Sequence, residues 1–494
     1  MKFEVSILNK LDQLIKCGHG AQVREQLGRL KLAEVPRSYC SAMAKIALRI
    51  GYASYAHLLL QPLVNDEKKF GKAMSPDEWM QYGMCLKQMG ASDHALKVFQ
   101  KLNPEQVPEV LLYQAITLFT QWRYSEAIVP LQAYIQNPTT STYQKEIGTL
   151  NLASALIFEG CLGEARKLIG PLVEHARRGK LHLLRGNGLE LMAQMAIYEG
   201  KYSEAQIHLL EASQLIQYSA PVYQLFLEKW SAVVQLRLTN CSLLSLQNMN
   251  WVRDKAIALQ HWESVRDCDF FFATSKNDRH LFHRVYFGTP YNEYRRRLVR
   301  NFHDPQPIPS YFDWRGNTAH QPAVGPMGVL DLSEKNGDQN LRVVKALSMD
   351  FYAPLKPFEL YLNLYPHEHL DPEEALPRIY SAVSRLKKWL KKMKYPLEVE
   401  HSTAGYRLNW TGPFTIRIPQ ALTFRRTSDE WFERLQIHFH GQAFTSTQAA
   451  EALGLSQRAF LRLLKESAHA DLLSVTGRGR STRYHFKSAT SAAA

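Results

Sequence analysis

Residues 1–250 repeat one spacing of small and large side chains. In five places a Gly or Ala is followed twelve positions later by Ala, and four positions after that by a large apolar residue. The five sets are Ala44, Ala56 and Leu60; Gly83, Ala95 and Phe99; Ala115, Ala127 and Leu131; Ala153, Ala165 and Ile169; and Ala193, Ala205 and Leu209. Two antiparallel helices approach closely only where side chains are small. The spacing therefore predicts successive helix pairs, with the large residue packing into the next pair.

A tight turn is expected between the two helices of each pair. Gly51, Gly90, Gly160 and Gly200 each precede the second small residue by five positions, and Trp122 takes that place in the remaining unit. Glycine suits such a turn because it adopts positive φ freely. This pattern is similar to the tetratricopeptide repeat (TPR), a helix pair that stacks into a superhelix.

The resemblance implies a TPR-like α-solenoid over residues 1–250 that binds a protein or peptide partner in its groove. The alternative, an array that only scaffolds or dimerises the chain, stays open. Leu11, Val23 and Leu27 suggest a degenerate first unit, and residues 222–250 suggest a capping helix pair. The sequence singles out no groove residue.

Composition narrows the class of protein. With 494 residues the chain is long enough for three or four domains. Its formal charge of +14 favours a polyanionic partner, although a solvated basic surface is the plainer explanation. The six cysteines are far apart, which predicts free thiols and no zinc site. No signal-peptide core or membrane-length apolar run is present, so we expect a soluble cytoplasmic protein with no membrane contact.

Residues 251–327 are expected to form a connector and linker. Phe270–Phe272 and Val285–Phe287 are consistent with short strands or with buried helix segments, whereas residues 294–302 predict a helix. Four arginines belong to that helix: Arg295, Arg296, Arg297 and Arg300. They would either grip phosphate or lie over a domain interface. Residues 303–327 are rich in Pro and Gly, as linkers are, and the nearby histidines match no metal-ligand spacing.

The stretch from Ala375 to Leu408 predicts a long helix followed by a β-hairpin. One helical face is apolar, with Ile379, Val383, Leu386 and Leu390. The opposite face carries Arg378, Ser381, Arg385, Lys388 and Lys392. Asp371 and Pro372 form a suitable helix start. Such a helix packs one side on a core and presents the other to negative charge.

Residues 328–410, with SRLKKWL in the helix and GYRL in the hairpin, resemble the winged-helix domain of OmpR/PhoB-class and SARP-type transcriptional regulators. The resemblance implies duplex-DNA contact in the major groove by Arg378, Ser381, Arg385 and Lys388, and phosphate contact by Lys392 and Arg407. His401–Ala404 stand where the family usually has an Arg and a Gly, so the resemblance does not extend to minor-groove contacts. A basic amphipathic helix lying on a membrane is the competing interpretation.

Residues 425–487 resemble a second winged helix-turn-helix. A short helix precedes Gly454, and the helix after Ser456 places basic residues opposite apolar ones. The predicted DNA contacts are Gln457, Arg458, Arg462 and Lys465 on that helix, and Arg478 and Arg480 at the tip of a wing. Residues 488–494 are expected to be a disordered tail.

The fold class expected is mainly α, a TPR-like solenoid followed by two small winged-helix (α+β) domains. The expected function is a sequence-specific duplex-DNA-binding transcription regulator with a partner-docking array. The alternative is a non-enzymatic scaffold in which array and winged helices bind proteins. We expect no enzyme and no cofactor, because GxxxxGK[ST], GxSxG and HExxH are absent from the sequence.

Overall fold

The computed structural model describes residues 6–16, 19–70, 73–216, 221–302, 307–316, 328–333, 338–365, 368, 370–420, 435, 439, 442–453, 456–466, 473–477, 479 and 482–486. It divides into two compact units. The first comprises Met1–Leu364 with Asp371–Thr423, and the second comprises Tyr365–Leu370 with Phe424–Ala494. No helix in the described ranges is both long enough and apolar enough to cross a membrane.

The first unit begins with a helical array. Its helices are α1 (Ser6–Lys16), α2 (Gly20–Arg29), α3 (Arg37–Arg49), α4 (Ala53–Phe70), α5 (Pro76–Gln88), α6 (Ser92–Gln100), α7 (Glu109–Phe119), α8 (Tyr124–Gln136), α9 (Thr142–Phe158), α10 (Leu162–Arg178), α11 (His182–Tyr198), α12 (Tyr202–Ile216), α13 (Pro221–Leu238), α14 (Leu243–Ala258), α15 (Trp262–Lys276), α16 (Arg279–Phe287) and α17 (Asn292–Asn301).

The predicted repeat is confirmed as a TPR-like series of helix pairs, from α3 with α4 to α11 with α12. In each pair both small residues of the motif are buried. The turn glycines adopt positive φ, from +68° at Gly51 to +95° at Gly90. Trp122 holds the same left-handed conformation, with φ of 60°. The turn geometry is thus kept even where glycine is replaced.

The array continues beyond residue 250. That position lies inside α14, and the predicted connector forms α15, α16 and α17 up to Asn301. Phe270–Phe272 are a buried helix segment, which decides between the two interpretations left open by the sequence. Residues 264–273 of α15 are all buried, so this helix has neighbours on every side.

A smaller α+β part follows in the first unit. Its elements are β1 (Tyr311–Trp314), β2 (Val329–Asp331), α18 (Gln339–Leu347), α19 (Pro357–Leu364), α20 (Pro372–Lys392), β3 (Leu397–Ser402), β4 (Gly405–Trp410) and β5 (Thr415–Pro419). Strand β5 pairs antiparallel with β1 and parallel with β2. Strands β3 and β4 form the predicted hairpin. Tyr406 also bridges to Leu355, in the turn before α19.

Strand β1 lies in the segment that the sequence suggested was linker. Its residues alternate in burial, and the ring of Trp314 stacks on Phe351 with centroids 4.1 Å apart. The sequence did not indicate this short strand, because prolines and glycines on both sides of it are typical of a linker. It is held by β5, which is about a hundred positions later in the chain.

The α+β part packs directly on the array. The backbone N–H of Phe358 donates to the carbonyl of Met89, at 2.9 Å. Asn65 of α4 donates to a carboxylate oxygen of Glu373 in the first turn of α20, at 2.6 Å. Arg266 of α15, fully buried, forms an ion pair with Asp350 at 2.6 Å. Hydrogen bonds and an ion pair therefore join the two parts at separate places.

The second unit contains α21 (Ser446–Leu453), α22 (Gln457–Glu466), β6 (Leu473–Thr476) and β7 (Arg483–Phe486). Phe444 bridges to Tyr484 of the β6–β7 hairpin. Apolar residues of α21, Phe460 of α22 and Leu473 form one buried cluster with them. Of residues 424–441, only Leu435 and Phe439 are described, and both are helical. The tail predicted over residues 488–494 lies outside the described residues.

Candidate functional site

Helix α20 begins and ends at clear local signals. The Asp371 side chain accepts a hydrogen bond from the Glu373 N–H at 2.9 Å, and Pro372 occupies the first helical position. At the other end Lys394 adopts a left-handed φ of 54°, ahead of Pro396. Acidic residues in the first turn and lysines in the last turn also suit the helix dipole.

The two faces of α20 match the predicted division. Ile379, Val383, Leu386 and Leu390 are buried. Ser381, Arg385, Lys388 and Lys392 are exposed on the opposite side. Lys387 and Lys391, which the helical-face argument did not single out, are exposed as well. We call Ser381, Arg385, Lys388 and Lys392 the basic face.

Arg378 does not belong with that exposed set. Its guanidinium donates to the hydroxyl of Tyr361 at 3.0 Å and lies 5.3 Å from the centroid of the same ring. The side chain is half-buried and ties α20 to α19. Helical periodicity placed Arg378 near the basic face, but a neighbouring helix gives it a structural partner.

The β3–β4 hairpin has an acidic outer face. Arg407 is paired with Glu400 at 2.7 Å, directly across the hairpin. Glu398, two positions along the same face, is exposed. Two carboxylates against one guanidinium would repel phosphate. The predicted phosphate contact of Arg407 would therefore be made by a guanidinium that is already paired with a carboxylate.

Of the DNA contacts predicted in the second unit, the structure describes the side chains of Gln457 and Arg458. Gln457 is exposed and donates to the Ser446 hydroxyl at 2.7 Å, which links the starts of α22 and α21. Arg458 is exposed. Arg462 and Lys465 lie within α22, but the structure does not describe their side chains. Arg478 and Arg480 lie outside the described residues.

Helix α17 packs on other segments of the array through Arg297. Arg297 of this helix lies among the rings of Trp122, Phe158 and Phe270, with its guanidinium carbon 4.5 Å from the Phe270 centroid. It donates to the Tyr198 hydroxyl at 3.1 Å and lies 3.6 Å from Asp267. We call this arrangement the Arg297 site.

The neighbouring Arg295 is also buried, and it donates to the carbonyls of Tyr286 and Thr289. Arg295 and Arg297 therefore belong to an internal interface, one of the two alternatives that the sequence left open. Arg296 is exposed and paired with Glu293.

The array has an open groove near its N-terminal end. A cavity of about 400 Å³ lies between α3, α5 and the start of α7. Its lining includes Lys45, Asp77, Met80, Gln106, Glu109 and Tyr113. We call this cavity the N-terminal groove.

Two carboxylates in the groove are positioned by uncharged donors. The Ser41 hydroxyl donates to Asp77, and the Gln144 amide donates to Glu109 at 3.0 Å. By contrast, the adjacent Glu78 is paired with Arg37 at 3.3 Å. Burial, and then the charges of Glu109 and Asp77, raise the pKa of the Tyr113 hydroxyl. Both carboxylates thus act on the Tyr113 hydroxyl, in addition to its burial.

Sequence reasoning did not find these groove residues. Ser75 and Glu78 form a capping box at the start of α5, and Pro76 and Asp77 are equally common in a first helical turn. Local chemistry thus explains Asp77 without any ligand. One further feature could have pointed to the groove. Asp77 and Glu109 both lie at the start of the first helix of a pair, and the two pairs are consecutive.

Comparisons with known proteins give distant structural similarities. No protein-family model matches the sequence, and no curated protein does either. Among solved structures, a Rap protein complexed with Competence and Sporulation Factor is similar over 78% of this chain and 97% of its own, with 9% identity and a TM-score of 0.40. The apo form of RapI covers 56% of this chain and 84% of its own, at 12% identity and a TM-score of 0.39.

A monomeric IFIT1 mutant with Gppp-AAAA covers 80% of this chain and 84% of its own, at 16% identity and a TM-score of 0.31. All three TM-scores are below 0.5, so the description of the array as TPR-like rests on its own paired helices, buried small residues and positive-φ turns.

Proposed function

We propose that the chain is a non-enzymatic scaffold whose helical array docks a protein partner. The observation that supports this best is the N-terminal groove, which three successive first helices line with polar and apolar side chains. Further along the array, Arg297 of α17 contacts Phe158 at the end of α9 and Tyr198 at the end of α11. A partner would therefore use the N-terminal pairs, where side chains of the array are open to it.

Site-specific photo-cross-linking in cells tests this docking. A benzophenone amino acid at Gln106, which is exposed in the groove lining, should cross-link to one or a few discrete partners. The same group at Lys167, exposed on α10, is the matched control. A partner identified in this way should bind the purified chain and lose binding on Tyr113→Ala. Equal products at both positions, or none at Gln106, would argue against a docking groove.

A second candidate function is duplex-DNA binding, as in a transcription regulator. The basic face of α20 favours it, because Arg385, Lys388 and Lys392 are exposed together while the opposite face is buried. In the α+β part of the first unit, three helices precede the β3–β4 hairpin, which bridges back to an earlier segment through Leu355 and Tyr406. In the second unit, α21 and α22 precede the β6–β7 hairpin, which bridges back through Phe444 and Tyr484. That order is consistent with the winged-helix resemblance.

Fluorescence anisotropy of the whole chain with mixed-sequence duplex DNA tests this second function. Binding through phosphates should weaken steeply with salt. Arg385→Ala with Lys388→Ala should reduce the slope of log K against log salt by about one for each phosphate that the chain no longer neutralises. Arg300→Ala, which removes an exposed arginine of α17, is the control. Absence of binding at low salt would leave docking as the function of these parts.

A further inference from the structure

Among the residues that line the N-terminal groove, acidic side chains outnumber basic ones. Asp77 and Glu109 are held by the neutral donors Ser41 and Gln144, so each carboxylate is oriented while its charge remains available. Lys45 also lines the groove, but within the described part of the chain it forms no ion pair with either carboxylate. Two negative charges thus stand against one positive charge in this cavity.

The same array already holds a cationic side chain elsewhere. At the Arg297 site a carboxylate, a tyrosine hydroxyl and aromatic rings surround one guanidinium. The N-terminal groove offers the corresponding groups, namely two carboxylates and the ring of Tyr113. Such a combination favours a cation through ion pairing and contact with the ring face.

The groove is also suited to the aliphatic stem of a long side chain. Met80 and Val107 line it beside the polar groups, and both are buried. Lysine and arginine carry three or four methylene groups that pack on such a surface while the charged end stays with polar groups. A cavity of about 400 Å³ leaves room for the flanking backbone of a peptide.

We propose that the N-terminal groove binds a Lys or Arg side chain of a peptide segment in the partner, between Asp77 and Glu109 and against Tyr113. This inference rests on the proposed docking function and specifies its ligand chemistry. Lys45, on the opposite helix α3, would then contact an acidic or carbonyl group next to the bound cation.

Fluorescently labelled peptide pools test the proposal with the full chain. Each pool has one central residue, Lys, Arg, Gln or Glu, and flanking positions randomised over uncharged residues. We expect the Lys and Arg pools to bind about tenfold tighter than the Gln pool, the difference expected for one charge-assisted hydrogen bond, and the Glu pool to bind weakest.

Isosteric variants assign the effect to the groove. Asp77→Asn with Glu109→Gln should remove the preference for Lys and Arg, whereas Glu164→Gln, an exposed carboxylate on α10, should keep it. Asp77 and Glu109 each lie in the first turn of their helix. Glu109→Gln alone therefore serves as a second variant that changes only one helix start, with the folding of both variants checked by circular dichroism.

Equal binding of all pools, or an unchanged preference in the Glu109→Gln variant, would overturn the cationic ligand. The docking function would survive that result if cross-linking at Gln106 still captured a specific partner. Binding by no pool would overturn the inference too, and the cross-linking result would then decide the docking function separately.

Discussion

A Cβ atom added at Gly83 would lie 2.4 Å from Cε1 of Phe99. Gly83 is in α5 and Phe99 in α6, and the Phe99 ring is fully buried. The ring therefore packs directly on the backbone of the partner helix. In this pair the first small residue of the motif is glycine, and a Cβ atom there would overlap the Phe99 ring unless the ring shifted.

Gly83→Ala should destabilise the array by about 1–3 kcal/mol, the usual cost of overpacking a tight core. Chemical denaturation followed by circular dichroism measures this change. Gly163→Ala is the control, since a Cβ there meets nothing within 4 Å and alanine favours helix. If the two substitutions changed the unfolding free energy equally, the Phe99 ring would be able to move aside at little cost, contrary to the prediction.

Arg266→Met should cost about 3–5 kcal/mol, because it leaves the buried carboxylate of Asp350 without its cation. Arg266 joins α15 of the array to the segment before α19, and it is completely buried. Adding Asp350→Asn should recover part of the loss, since the uncompensated charge is then removed. A double-mutant cycle on unfolding free energies gives the coupling, and strict additivity would contradict a direct pair.

Two histidines, His57, which is buried, and His261, which is half-buried, should make stability fall as the pH drops from about 6.5 to 4. Burial lowers the pKa of His57 to about 4, although Glu373 and Asp371 oppose it. Burial and the charge of Lys229 lower the pKa of His261 to about 4 as well. Between the two pH values the unfolded chain binds protons that the folded chain does not, so acidification favours unfolding.

The melting temperature measured against pH checks this expectation. His57→Gln with His261→Asn should flatten the slope between pH 6.5 and 4, because the titrating groups are gone. Asn at position 261 retains an acceptor for the Ser264 N–H, which His261 now caps. His182→Gln, at an exposed position, should leave the slope as it is, and the same slope in all variants would contradict the assignment.

Arg378→Ala should lower stability by about 1 kcal/mol and leave the salt dependence of DNA binding nearly unchanged. Its partner is Tyr361, through a hydrogen bond and the ring face. Tyr361→Phe removes only the hydroxyl and should cost less. If Arg378→Ala instead reduced the salt slope as much as Arg385→Ala, the side chain would belong to the basic face after all.

The helix pairs were predictable because their signals are local. Ala44, Ala56 and Leu60 show the spacing, Gly51 marks the turn, and all of the three motif residues are buried. Helix α15 was ambiguous for a related reason. Residues 264–273 are buried on every side, so polar residues do not recur with the helical period and a strand could not be distinguished. The neighbours that bury it, such as Tyr294 and Tyr352, come from later segments.

The sequence by itself determined the paired helices, the start of α20 at Asp371 and its two faces, since each depends on residues within a turn or two. Only the tertiary structure decided which charged side chains have partners within the chain and which are left to bind other molecules. It pairs Arg407 with Glu400, places Arg297 among aromatic rings, leaves Arg385 exposed, and brings Asp77 and Glu109 into one cavity. The reason is physical: periodicity sets the direction of a side chain, whereas its partner depends on which distant segment packs beside it.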